Sequence, residues 1–276
     1  MKEERFFYAP ELAEQEVSPS RGDLEGSEAN HALRVLRLGV GDEIRLMDGK
    51  GTFYRATITT ATGHRLLYQI DEVEPQQPAW QGHLHLAMAP TKLMDRVEWF
   101  AEKATEIGFD ELTFLDTQFS ERKVVKEERI DKILISAMKQ SHKAWKPKLN
   151  CSTKSSNSRK GESLSELTRF KDFIMQEREG DKFICHCQTL SPLPREGEGL
   201  PSIKDVDGET MPLLFDVLRP GVPSTVLIGP EGDFSIEEVR LAMEHGYKSV
   251  TLGRSRLRIE TAALVAVHMM QLKNAL

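Results

Sequence analysis

Val226-Leu227-Ile228-Gly229-Pro230-Glu231-Gly232-Asp233-Phe234-Ser235 is a short apolar run that stops at two glycines and gives way to a helix-start residue. The run is β-branched at Val226 and Ile228 and bounded by turn formers, which predicts a buried strand. Ser235 and Glu238 stand three apart, the spacing at which each side chain satisfies a free backbone N–H of the other's turn, so a helix is expected to open there and stop at Gly246. A glycine turn between strand and helix lets a ligand approach the backbone closely. It falls at the carboxyl end of a strand, where open α/β sheets bind their ligands. No Lys-Ser/Thr follows and the spacing is not G-x-G-x-x-G, which excludes a P-loop and a dinucleotide fingerprint. A tight turn with a good cap is the plain alternative reading of the same residues.

The arrangement recurs in Leu252-Gly253-Arg254-Ser255-Arg256-Leu257-Arg258-Ile259-Glu260-Thr261-Ala262-Ala263, where a strand end in glycine leads through a basic loop to a helix start. Three arginines within five residues suit a phosphate or an RNA backbone; the alternative is a solvated loop with Glu260 neutralising the helix N-terminus. Outward from these two turns the chain alternates. Strands are predicted over His83 to Ala89, Glu111 to Asp116, Phe183 to Cys187, Thr225 to Ile228 and Ser249 to Leu252. Helices are predicted over Leu93 to Ile107, with Val97, Phe100, Ala101 and Ala104 on one face and Gly108 as stop, over Ile130 to His142, and over Glu260 to Asn274. Such alternation implies an α/β domain on a largely parallel sheet.

The N-terminal part has a different texture. Asp42 to Met47 and Thr52 to Ile58 alternate across Asp48-Gly49-Lys50-Gly51, a hairpin signal, and a further strand starts at Arg65. His31 to Leu38 reads as a short helical or irregular stretch presenting Arg34 and Arg37. Glu74-Pro75-Gln76-Gln77-Pro78 is a linker by composition. The expected organisation is a β-rich module over 1–74, a linker over 75–81 and an α/β domain over 82–276. Cys151 to Gly161 and Thr189 to Met211 read as exposed loops.

Lys and Arg total 37 against 43 Asp and Glu, a net charge of −6, which taken alone argues against a nucleic-acid partner. The distribution reverses that. Residues 118–160 hold twelve basic and four acidic side chains, 31–70 six and three, and 248–276 five and one, whereas 161–216 hold six and twelve. Each basic segment by itself reads first as a solvated face, and only the three together weigh against that. Nothing at Met1-Lys2-Glu3-Glu4-Arg5 resembles a secretory signal and no apolar run is of membrane-spanning length, so a cytosolic protein is expected. Three cysteines make no disulfide framework. Cys185-His186-Cys187 lacks a second ligand pair at metal spacing and reads as core cysteines on a strand, with no metal expected.

The two glycine motifs together resemble the paired cofactor-binding motifs of the ribosomal RNA small subunit methyltransferase E (RsmE) family of the SPOUT superfamily. Lys92, Glu102-Lys103-Ala104-Thr105-Glu106-Ile107-Gly108, Ser120-Glu121-Arg122 and Gln140-Ser141 extend the likeness upstream. His31, Val35-Leu36-Arg37, Gly41-Asp42 and Asp48-Gly49-Lys50-Gly51 resemble its PUA-like RNA-binding domain. Departures are Asp233, where the family's second glycine usually stands, Arg256 in place of an aliphatic residue, Lys139 in place of an acidic one, and His142 where Gly is frequent.

The resemblance implies a SPOUT-type α/β methyltransferase domain with a C-terminal trefoil knot, preceded by a PUA-like β-barrel. It also implies a homodimer that transfers methyl from S-adenosylmethionine to ring nitrogen N3 of a uridine in the decoding region of 16S ribosomal RNA. On that footing Leu227, Ile228, Gly229, Pro230, Glu231, Gly232, Leu252, Gly253, Arg256, Leu257 and Arg258 are expected to hold the cofactor. Arg258 is the expected stabilising cation, with Glu231 and Glu260 as proton acceptors. Arg34, Arg37, Lys50, Arg122, Lys123, Lys126 and Lys139 are the expected RNA contacts. Two other readings stay open: a SPOUT ribose methyltransferase, and a non-enzymatic RNA-binding or assembly protein.

Overall fold

The structure, a computed structural model, describes residues 5–14, 20–63, 65–151, 164–187 and 203–275. The chain divides into two compact units, Met1–Ala79 with Ile135–Lys146, and Trp80–Leu134 with Pro147–Leu276.

In the first unit, strands β1 (Phe6–Tyr8), β2 (Arg21–Leu24), β3 (Glu43–Met47), β4 (Thr52–Thr62) and β5 (Arg65–Pro75) form a sheet in the order β1-β3-β4-β5-β2. Alternation sends Ile44, Leu46, Tyr54, Ala56 and Ile58 inward against Phe7, Leu24, Leu66 and Tyr68. The β3–β4 turn is held by Asp48, whose buried carboxylate accepts the N–H of Lys50 at 2.7 Å and of Thr52 at 3.0 Å. Its glycines take left-handed backbone, φ 75° at Gly49 and 111° at Gly51. Glu74 and Pro75, linker by composition, are the last residues of β5. Pro75 is tolerated because it stands at the strand's end opposite Thr52, where a missing N–H costs no ladder bond. Helix α1 (Gly26–Asn30) continues into one widened turn over His31–Val35, leaving Arg34 exposed. Residues Ile135–Lys146 belong to this unit through backbone bonds, Gly51 N–H to Ala144 O at 3.0 Å and Lys146 N–H to Gly49 O at 2.9 Å.

The second unit alternates as the pattern predicts: β6 (Leu84–Met88), α2 (Met94–Ile107), β7 (Glu111–Asp116), β8 (Val124–Val125), α3 (Glu127–Gln140, shared between the units), β9 (Lys148–Asn150), β10 (Ser165–Glu166), β11 (Thr168–Arg169), α4 (Phe170–Ile174), β12 (Asp181–Cys185), α5 (Leu214–Val217), β13 (Ser224–Ile228), α6 (Ile236–Glu244), β14 (Lys248–Val250) and α7 (Ile259–Ala275). The main sheet runs β11-β7-β6-β13-β12-β14 with β9 also on β7, and every pairing is parallel. A parallel sheet needs cover on both faces. One face packs Leu86, Phe114, Val226 and Ile228 against Phe100 and Ala104 of α2 and Ala263, Val267 and Met270 of α7. The other packs Ala87, Leu115, Ile184 and Leu227 against Phe173, Phe234, Val239 and Tyr247. Elements β8 to β11, α4 and α5 are too short to leave a periodic signal.

Residues 152–161 of the first expected loop and 189–202 of the second lie outside the described residues. The remainder of the second forms a turn in which Asp205 accepts the N–H of Asp207 at 3.0 Å and of Glu209 at 2.9 Å. Among the described residues no helix is long and apolar enough to cross a membrane.

Candidate functional site

Strands β13, β12 and β14 are neighbours and parallel, so the loops at their carboxyl ends emerge together on one edge of the sheet. Between them lies a cleft. Cys185, His186 and Cys187 form one wall, Ile228 to Glu231 and Asp233 a second, and Thr251 to Gly253 with Ser255 to Leu257 a third; Ile259 and Ala262 of α7 close it.

Each loop has a local reason for its shape. Gly229 is buried where a side-chain carbon would sit 3.1 Å from the Phe234 backbone nitrogen. Gly253 has φ 122°, its N–H donating to Thr251 Oγ1 at 3.1 Å. Asp233 also takes left-handed backbone, φ 66°. Aspartate tolerates this better than most side chains because its short carboxylate bonds locally. Here that carboxylate accepts the N–H of Phe234 at 2.8 Å and of Cys187 at 2.7 Å, tying the β13 loop to the end of β12. The Ser235–Glu238 capping box forms in both directions, at 2.9 and 3.1 Å, and opens α6.

His186 is buried, and its Nε2 meets Ser249 Oγ at 3.0 Å while Nδ1 has no hydrogen-bond partner among the described residues. Burial lowers its pKa against the pull of Asp233 and Asp205, so the ring is neutral near pH 7. Burial pushes the thiols of Cys185 and Cys187 up, which keeps them protonated. Expected as core cysteines, the pair is split: Cys185 is buried but Cys187 is exposed, because β12 ends at Cys185 and the chain turns onto the cleft wall.

A second hollow adjoins the first. Arg96, Arg256 and Arg258 line it with Glu231, Glu260, Pro230, Leu257 and Ile259. Arg96 Nη1 meets Glu260 Oε1 at 3.1 Å, and Glu260 is only 8% exposed. Glu231 is exposed and accepts the Lys92 N–H at 3.1 Å. The loop carrying Lys92 is in turn held by Arg122, which donates to the carbonyls of Thr91 at 3.3 Å and Lys92 at 2.5 Å.

Of the expected cofactor and catalytic residues, Ile228, Gly229, Pro230, Glu231, Leu252, Gly253, Arg256 and Leu257 line the cleft, and Arg258 and Glu260 line the adjoining hollow. Gly232 is exposed beside Phe119. Leu227 alternates to the opposite face of β13 and lies in the apolar layer there. Arg34, Arg37 and Lys50 are exposed on the first unit, and Lys126 on the second. Lys139 bonds Glu28 at 2.7 Å, and Lys123 pairs with Asp116. Arg96, Asp233 and His186 were not among the expected residues. Arg96 and Glu260 stand 164 positions apart, and no local pattern links them.

The model of the RNA methyltransferase domain family matches residues 78–271, and that of the RNA methyltransferase PUA domain matches 24–71. The chain belongs to this RNA methyltransferase family. Ribosomal RNA small subunit methyltransferase E of Rickettsia conorii is 25% identical over 99% of this chain and 96% of its own. An rRNA methyltransferase candidate of Porphyromonas gingivalis has a similar structure, with TM-score 0.77 and 34% identity over 98% of both chains. A candidate methyltransferase of Legionella pneumophila, solved in complex with the bound cofactor SAM, gives TM-score 0.72 and 25% identity, again over 98% of both. The likeness to RsmE and the α/β fold with a PUA-like module, both stated from the motifs, are thus borne out.

Proposed function

We propose that this protein is an S-adenosylmethionine-dependent methyltransferase acting on ring nitrogen N3 of a uridine in the decoding region of 16S ribosomal RNA. The observation that carries this reading is the pair of glycine loops meeting over a cleft whose floor opens onto three guanidinium groups and two carboxylates. The relatives named for small-subunit ribosomal RNA and the SAM-bound neighbour support it.

The residues present suit that cofactor. Ile228, Leu252, Leu257 and Ala262 offer apolar walls for an adenine, and Gly253 leaves open space within 4 Å where any side chain would begin. The unpartnered His186 Nδ1 is a polar group able to meet an amino acid end. When bound, S-adenosylmethionine supplies a methyl already electrophilic enough to need no metal. The protein's task is the uridine imide, which must lose its N3 proton to become a nucleophile. Arg258, exposed in the adjoining hollow, stabilises the negative charge that spreads onto the ring oxygens. Glu231, exposed and fixed by the Lys92 N–H, takes the proton. Glu260, paired with Arg96, is the second acceptor lining the same hollow.

In the same reading the module over 1–74 is the PUA-like RNA-binding domain, 82–276 is the SPOUT domain with its knot, and the active species is a cytoplasmic homodimer. Arg34, Arg37, Lys50, Arg122, Lys123, Lys126 and Lys139 contact RNA, with Arg122, Lys123 and Lys139 bridging between their protein partners and phosphates. The test is methylation, with labelled cofactor, of small ribosomal subunits from cells lacking the modification. The expected product is an N3-methylated uridine, lost in Arg258→Ala; a ribose-methylated product, or an unaffected Arg258→Ala at saturating cofactor, refutes the assignment.

A further inference from the structure

Asp233 takes a left-handed backbone of the kind that favours glycine, φ 66°. A glycine would satisfy that geometry at less cost, so the carboxylate itself is the feature to explain. It is half-buried on the cleft wall, and two backbone N–H groups, of Cys187 at 2.7 Å and Phe234 at 2.8 Å, hold it in place. A carboxylate fixed by backbone donors needs no reorientation to meet a cation. The groups facing it are the buried His186, the Cys187 thiol and, across the cleft, Arg256. Burial lowers the pKa of the first and raises that of the second, so both are neutral near pH 7. Arg256 is exposed and therefore screened. With Glu231 on the same wall, the formal charge lining the cleft is one negative unit in excess.

We propose that Asp233 makes the cleft selective for a cationic ligand, so that the protein discriminates the positively charged methyl donor from the neutral demethylated product. The proposal rests on the reading of the cleft as the S-adenosylmethionine site. The donor bears a sulfonium, an ammonium and a carboxylate, one net positive charge. The thioether product has lost the sulfonium charge with the methyl group and is a neutral zwitterion. The ammonium and carboxylate are common to both ligands, so a fixed carboxylate separates them only by its attraction for the extra positive charge of the donor.

The experiment is calorimetric titration of the full chain with S-adenosylmethionine, S-adenosylhomocysteine and sinefungin, whose protonated amine replaces the methylsulfonium. The wild type is expected to bind both cations about tenfold more tightly than the thioether, as a charge-assisted contact gives. Asp233→Asn keeps an acceptor and tolerates φ 66°, and Asp233→Gly suits that backbone fully. Both variants are expected to bring the three affinities together by weakening the cations more than the thioether. If all three ligands weaken equally, Asp233 is only a latch between loops and the proposal fails. It fails too if the preference survives both substitutions. If the wild type binds none of the three, the reading of the cleft itself is wrong.

Discussion

The ion pair between Arg96 and Glu260 ties α2 to the start of α7 beneath the second hollow, and its removal should be felt in both stability and turnover. Arg96→Met preserves the aliphatic stem and deletes the charge. The contact is 3.1 Å, and Glu260 is 8% exposed while the Arg96 side chain is 36% exposed. Two unit charges about 4 Å apart attract by about 4 kcal/mol at an effective dielectric constant of about 20, and water at the arginine end reduces the net coupling to about 1.5 kcal/mol. Arg96→Met also strands a nearly buried carboxylate, so the single variant is expected to lose about 2 kcal/mol. Glu260→Gln should lose about as much, and the double variant less than the sum of the two. Urea unfolding followed by tryptophan fluorescence gives the double-mutant cycle. Methylation kinetics on the same four proteins should show a fall in turnover for both single variants. A coupling below about 0.5 kcal/mol, or a wild-type melting temperature in Arg96→Met, would refute the reading of Arg96 and Glu260 as a coupled pair.

Three further outcomes are expected. Gly253→Ala meets no atom within 4 Å but must adopt φ 122°, so it should cost about 1–2 kcal/mol of stability and weaken S-adenosylmethionine binding about tenfold; an unchanged dissociation constant would show that the cleft takes its ligand elsewhere. Burial holds His85 neutral, with a pKa down to about 3, against the pull of Glu111 and alongside Arg178 and His83. Below the unfolded value of about 6.5 the unfolded chain takes a proton that the folded chain refuses, so about 2 kcal/mol is lost between pH 7 and pH 5. His85→Asn should remove that slope in urea melts at the two pH values, and an unaltered slope would assign acid sensitivity to other groups. The double variant Arg37→Glu, Lys50→Glu should weaken ribosomal RNA binding and flatten the plot of log affinity against log salt by about 0.7–0.9 per lost phosphate contact; an identical slope would remove both residues from the RNA surface.

What the sequence discloses is what is local. The Ser235–Glu238 box, the Asp48 hairpin turn and the apolar face of α2 are written within a few residues, and each appears in the structure with the expected bonds or burial. The strand-to-glycine breaks at Gly229 and Gly253 likewise mark two walls of the cleft. The third wall is hidden. Cys185-His186-Cys187 looks like the continuation of an ordinary strand, and only the pairing of β12 between β13 and β14 brings it to the cleft. The partners that fix the site are distant too: Lys92 with Glu231 is separated by 139 positions and Asp233 with Cys187 by 46. Periodicity cannot report such pairs, because it records the faces of elements and not which elements meet. Pro75 shows the opposite error, a composition typical of linkers overruled by a place in the ladder.

The position of β13 also dictates how the protein can be made. Leu84–Met88 and Asp181–Cys185 do not pair with each other; each pairs with Ser224–Ile228, which leaves the ribosome after both. Until that segment emerges, the nascent chain carries two strands with unfilled edges, the condition in which growing polypeptides stick to one another. The first unit's hairpin is available long before. Translation slowed just upstream of Ser224 should therefore yield chains with a formed N-terminal sheet, chaperone dependence and no cleft at all, so that methyl-donor binding marks the moment at which synthesis of the α/β unit is all but finished.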